Sequence, residues 1–139
     1  MSYNTPRGLR NLNPGNIRRS AVCYKGERRD TTDSAFKQFE SLEMGYRAIF
    51  VLLHTYKLRG YGQTIAQMIS RYAPASENDT EAYIRRVTRA TGIDKDALLD
   101  THSTEQMIPI VCAISAVENG VAADLEAVQR GWELFRADY

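Results

Sequence analysis

The sequence predicts an α+β fold, mainly helical, with a small β-sheet near the N-terminus. Three observations carry that expectation. After Ser41, apolar residues recur at helical spacing in several stretches, most of them opened by a Ser, Thr, Asp or Asn cap and several closed by Gly or Pro. Before Ser41 the pattern consists of short extended runs separated by turn residues. No internal repeat or low-complexity segment interrupts the chain, so residues 1–139 are expected to form one domain.

The elements follow in order. Residues 1–12 are polar and are expected to be extended or only partly ordered. Asn13-Pro14-Gly15-Asn16 is a dense turn signal, because Pro presets φ and Gly permits positive φ. Ala21-Val22-Cys23-Tyr24 is a candidate strand closed by Lys25-Gly26, and Phe36-Lys37-Gln38-Phe39 is a second; together they suggest a hairpin or three-stranded sheet. Ser41 caps a long helix carrying Tyr46, Ile49, Phe50, Leu53 and Tyr56, which Gly60 ends. Thr64 opens a short helix with Ile65, Met68, Ile69 and Tyr72 inward, stopped by Pro74. Asn78 and Glu81 suggest a capping box for a helix through Tyr83, Ile84 and Val87 to Gly92. Asp94 is placed to cap a short helix through Leu99. Ser103 and Gln106 start a helix that tolerates Pro109 near its beginning and stops at Asn119-Gly120. Leu125, Val128, Trp132 and Phe135 mark a final helix.

Composition narrows the function classes. With 139 residues, 43% apolar and 25% charged, the chain has the make-up of a globular domain with a real core. No apolar run reaches the roughly 18 residues that suggest a membrane span. The opening Met1-Ser2-Tyr3-Asn4-Thr5-Pro6-Arg7 lacks the apolar stretch of a signal peptide. The expectation is synthesis in the cytoplasm, with any action at a cell wall or in a virion depending on delivery. Cys23 and Cys112 have no metal-ligand spacing, and His54 and His102 are far apart in sequence, so neither a metal nor another cofactor is expected. Charge is uneven: residues 1–37 carry +5 and the remainder −4. A basic third could serve an anionic polymer, whether nucleic acid or cell-wall material, or be plain solvated surface.

Glu118 is the most informative residue. It falls on the last turn of a helix whose apolar face comprises Met107, Ile108, Ile110, Val111, Ile114 and Val117. A carboxylate there opposes the helix dipole, and an apolar flank adds a desolvation cost. Both effects favour the protonated acid, which is what a glycosidase-type general acid requires. The alternative is a solvated glutamate at a frayed helix end. Two further polar clusters exceed structural need. Asn13 and Asn16 lie in the rigid turn, and Tyr72, Glu77, Asn78, Asp79, Thr80 and Tyr83 surround a helix start that needs only one capping oxygen. Glu43 is a second candidate carboxylate, although its place in the first turn of the long helix also makes it a dipole partner. There is no phosphate loop, nucleophile elbow or metal motif. Carboxylates, amides and tyrosines remain, and these are the side chains of a carbohydrate cleft.

The run Arg7-Gly8-Leu9-Arg10-Asn11-Leu12-Asn13-Pro14-Gly15-Asn16-Ile17-Arg18, with Gly45-Tyr46-Arg47-Ala48, Arg71-Tyr72-Ala73-Pro74, Glu77-Asn78-Asp79-Thr80 and Glu118-Asn119-Gly120, resembles a family of short phage and prophage proteins often labelled virion structural proteins. The resemblance spans about residues 7–121. Leu12 stands where that family usually has Asn, and Ala116-Val117 replaces a more polar pair. A second resemblance is to the lysozyme-like superfamily, especially bacterial glucosaminidases, with the order of segments circularly permuted. It implies a lysozyme-like domain with Glu118 as catalytic acid, Asn13 and Asn16 beneath the substrate, and the segment from Tyr72 to Tyr83, with Asn78 and Thr80, as its wall; the second catalytic group is expected to be Glu77, Glu43 or the substrate's own acetamido group. The expected activity is peptidoglycan cleavage by hydrolysis or transglycosylation, on glycan strands and alongside other virion or secretion components. The alternatives are a non-catalytic virion or cell-wall-binding protein and, third, a nucleic-acid-associated phage protein.

Overall fold

A computed structural model describes residues 5–139. Among these residues the order is α1 (Arg7–Arg10), α2 (Leu42–Leu58), α3 (Ile65–Tyr72), α4 (Thr80–Thr91), α5 (Thr104–Asn119) and α6 (Leu125–Asp138). The caps explain most boundaries. Ser41, Thr64, Ser103 and Asp124 each accept a hydrogen bond from the backbone N–H three residues on, and Gly92 and Gly120 close α4 and α5 in the left-handed conformation. The cap of α4 is Asp79, which accepts from Ala82 N–H, and not the expected Asn78.

Helix α2 is the central element. Tyr46, Ile49, Phe50 and Leu53 are fully buried along it. Its main partner is α6, and the approach is close enough to require Gly131: a Cβ there would sit 2.8 Å from Tyr46 Cβ and 2.9 Å from the Arg47 amide nitrogen. Phe50, Trp132 and Phe135 fill this interface, with the Phe50 and Trp132 rings edge to face at 5.0 Å. Helix α5 packs on α4, and α4 on α3. The two histidines, distant in sequence, come together beside this core. Their rings are 5.0 Å apart, and His54 Nδ1 lies 2.7 Å from the Thr101 hydroxyl. Cys23 and Cys112 are both free thiols.

The N-terminal segment corrects the expected α+β class. Among the described residues there is no sheet, only two isolated bridges, Arg18 to Phe36 and Glu27 to Phe39. The lysozyme-like layout with a small N-terminal sheet is replaced by helices plus an irregular, well-tethered segment. Side chains take the backbone partners that a strand ladder would need. Asn13 Nδ2 donates to the Ile17 and Lys37 carbonyls, and its Oδ1 accepts from Ile17 N–H. Asp33 accepts from the Ala35 and Phe36 amides. Lys37, buried, sends its ammonium to the Val22 carbonyl and Glu27. Val22, in the first candidate strand, is consequently left 58% exposed with no neighbouring strand.

Residues 5–12, expected to be extended, include the single helical turn α1; residues 1–4 of that expected segment lie outside the described residues. Pro6 presets the entry to α1, and Arg7 anchors it through two hydrogen bonds to Asp33 at 2.7 and 2.6 Å. The stretch from Asp94 to Leu99 is also not a helix. Its backbone bonds outward instead, with Leu99 N–H donating to Gln63 O and Ala66 N–H to Lys95 O.

Candidate functional site

The C-terminal end of α5 meets the turn at residues 13–16. Asn119 Nδ2 donates to the Pro14 carbonyl at 2.8 Å and to the Ser115 carbonyl at 2.9 Å, joining helix to turn. Gly8 packs beneath: a Cβ there would come within 2.6 Å of Asn119 Oδ1 and 2.7 Å of Asn16 Oδ1, so the close approach of α1 depends on glycine. Asn16 itself has φ 49°, a left-handed conformation that Asn tolerates.

This junction aims Glu118 into a groove of about 470 Å³. Glu118 is half-buried. One carboxylate oxygen accepts from Asn16 Nδ2 at 2.9 Å and the other from the Tyr83 hydroxyl at 2.8 Å. Each oxygen therefore keeps further acceptor capacity. The groove wall includes Tyr24, Phe36, Tyr56, Tyr72, Pro74 and Asn78, with Arg18 and Glu77 as an ion pair at 3.4 Å. Burial raises the Tyr83 and Tyr72 phenols well above their usual range and pushes Tyr24 up to about 12, so all three are neutral donors near neutral pH. Tyr72 uses its hydroxyl on the Gly15 carbonyl, which locks α3 to the same turn that holds Glu118.

The sequence-derived candidates divide into three groups. Glu118, Asn16 and Tyr83 are joined by direct hydrogen bonds. Tyr72, Glu77 and Asn78 line the groove. Asn13, Thr80 and Glu43 do not line it. Asn13 is fully buried and bonded within the N-terminal segment, and Thr80 donates its hydroxyl to the Ala73 carbonyl, where it clamps the loop. Glu43 sits in the first turn of α2, as the dipole argument allows. Sequence reasoning missed Tyr24, Tyr56 and Arg71 as groove residues. Tyr56 has the spacing of a core residue and Tyr24 lies in the candidate strand, so neither carried a signal of its own. Arg71, next to Tyr72-Ala73-Pro74, was within the motif but has no local pattern that marks it.

Five of the eight basic residues in the N-terminal third face a carboxylate. Arg7, Arg18, Lys25, Arg28 and Lys37 each pair with an acidic residue. No helix among the described residues is long and apolar enough to cross a membrane.

No protein-family model matches this chain. It is similar to Protein P5 of Pseudoalteromonas phage PM2, with 36% identity over 117 residues, covering 82% of this chain and 71% of that protein. Identity of this level over most of both sequences means that the chain belongs to the family of phage proteins that includes Protein P5.

Proposed function

We propose that this phage-family protein cleaves the glycan strands of peptidoglycan, with Glu118 as general acid. The observation that carries the reading is the setting of the Glu118 carboxylate: it faces a groove lined by tyrosines and an asparagine, held from two directions by Asn16 and Tyr83. The groove's size and its mixture of aromatic faces and amides suit a chain of sugar rings. A proton on the free side of the Glu118 carboxyl would pass to the glycosidic oxygen as the bond to C1 breaks. Asn16 and Tyr83 would fix the plane of the carboxyl group during that transfer.

The second catalytic group is more economically the substrate's own acetamido oxygen than a protein carboxylate. Glu77 is engaged by Arg18, and Glu43 does not line the groove. Neighbouring-group attack at C1 needs only one enzyme carboxyl: the acetamido oxygen would bond to C1 as the glycosidic bond breaks. Water or the sugar's own C6 hydroxyl, losing its proton to Glu118, would then displace it to give a reducing end or an internal anhydro ring.

The test is a cell-wall zymogram with mass analysis of the products, run on the wild type and Glu118→Gln. Gln preserves shape but has no acidic proton. Loss of roughly 10²–10⁴-fold in cleavage, with the melting temperature retained, is the expected result. Undiminished cleavage by Glu118→Gln would sink the assignment.

A second reading is favoured by membership of a family of phage proteins: a virion protein that uses the same groove to bind the cell wall without cutting it. Wild-type protein that sediments with cell-wall sacculi yet releases no fragments would establish that reading. Five of the eight basic residues of the N-terminal third face a carboxylate, which counts against a nucleic-acid role.

A further inference from the structure

The groove continues past its tyrosine wall. Arg71, near the end of α3, lines both the main groove and a shallower hollow of about 350 Å³ formed with Gly60, Tyr61, Gln67 and Ser70. Its guanidinium carbon lies 4.5 Å from the centroid of the Tyr61 ring. Tyr61 meets Tyr56 edge to face at 6.1 Å, and Tyr56 belongs to the main groove. An aromatic shelf therefore leads from one depression to the other, with a cation seated on it.

The other ionisable side chains along this path already have ion-pair or hydrogen-bond partners. Arg18 faces Glu77, and Glu118 is held by Asn16 and Tyr83. Arg71 is exposed, and among the described residues no carboxylate lies within ion-pair distance of it. A guanidinium stacked on a phenol ring is restricted in orientation while its N–H edge stays free for a planar, two-oxygen acceptor. Neutral sugar hydroxyls do not call for such a group, whereas a carboxylate does.

We propose that Arg71 is the specificity determinant of the groove for acid-bearing glycans: it pairs with a carboxylate carried by a substituent of the strand where the strand passes over Tyr61. This inference rests on the glycan reading above and narrows its substrate class. A neutral polymer of N-acetylglucosamine would fill the groove and leave Arg71 without a partner. A strand bearing lactyl or peptide carboxylates would gain a charge-assisted pair.

The experiment measures binding by calorimetry in the Glu118→Gln background, so that ligands stay intact. The probes are peptide-bearing cell-wall strands, the same strands with their carboxylates amidated, and neutral N-acetylglucosamine hexamers. Intact strands should bind about tenfold more tightly than amidated ones, the scale of one charge-assisted hydrogen-bonded pair. That preference should shrink as salt is raised. Adding Arg71→Gln should abolish the preference and weaken binding of the intact strands by a larger factor than binding of the neutral hexamer, while Arg71→Lys should restore the preference in part. The comparison of intact with amidated strands needs no substitution at position 71, so it stands even if the variant folds poorly. A preference that survives Arg71→Gln, or an equal loss on the neutral hexamer, overturns the assignment. Glycans bound without any acid preference overturn it while leaving the glycan reading intact; failure to bind any of the three probes removes both.

Discussion

At the scale of single residues, Tyr83 shows how a buried side chain can serve a half-buried one. Its ring is part of the core and only 5% of the residue is accessible, yet its hydroxyl reaches Glu118 at 2.8 Å. Desolvation keeps the phenol protonated, so it acts as a donor. Tyr83→Phe should preserve packing, and a half-buried carboxylate can recover a lost donor from water. Stability should fall by about 1 kcal/mol or less, the net worth of one ordinary hydrogen bond. Glycan cleavage should fall much more, up to roughly 10²-fold, because the carboxyl loses one of the two contacts that orient it. Thermal melts and zymograms on the same preparation separate the two effects; activity at the wild-type level would show that Tyr83 is only a core residue. Leu12 marks a different kind of residue effect. It adopts φ 53°, a left-handed conformation that Asn accommodates more easily than Leu.

At the scale of elements, the pairing of α2 with α6 sets the frame behind the groove. Leu52 and Tyr56 of α2 line the groove, whereas Tyr46 and Arg47 support α6. In an isolated helix Gly131→Ala would be favourable by about 1 kcal/mol. Here the new methyl would meet Tyr46 Cβ, the Arg47 nitrogen and, at 3.0 Å, the Glu43 carbonyl oxygen. Two of these are backbone atoms of a neighbouring helix and cannot rotate away. Overpacking costs about 1–3 kcal/mol and should outweigh the gain in helix propensity. The expected outcome is a lower denaturation midpoint; a higher one would mean that α6 has room to move off α2.

At the scale of the whole molecule, Asp33 holds the N-terminal segment in place. Its carboxylate accepts from Arg7, Asn11 and the Ala35 and Phe36 amides, and the Arg7 guanidinium, first among these partners, holds its pKa well below the usual carboxylate range. A carboxyl whose pKa is lowered on folding contributes stability that is fully present above its unfolded value of about 3.9 and is lost as pH falls toward the folded value. Asp33→Asn should therefore be less stable than the wild type at pH 7, and the gap should narrow below about pH 4. Urea midpoints of both proteins at pH 7 and pH 3 test this directly. A gap that widens on acidification would mean that Asp33 acts through packing and not through its charge.

Local sequence determined α2 to α6 and the position of Glu118 within α5, but neither the single turn α1 nor the absence of a helix at residues 94–99. Ser41, Thr64, Ser103 and Gly120 act over three or four residues, so their caps can be read from the chain alone, and they place Glu118 on the last turn of α5. Tertiary structure decided the rest. In place of the expected N-terminal sheet, Asn13 and Lys37 satisfy backbone groups 24 and 15 residues away, separations that no strand pattern encodes, while Asp33 takes the nearby Ala35 and Phe36 amides. The groove around Glu118 depends on contacts longer still: Asn16 is 102 residues away and Tyr83 is 35. Capping and amphipathic spacing are short-range effects that leave a local signature, whereas the meeting of a turn, a buried phenol and a helix end arises only when α1, α4 and α5 pack together.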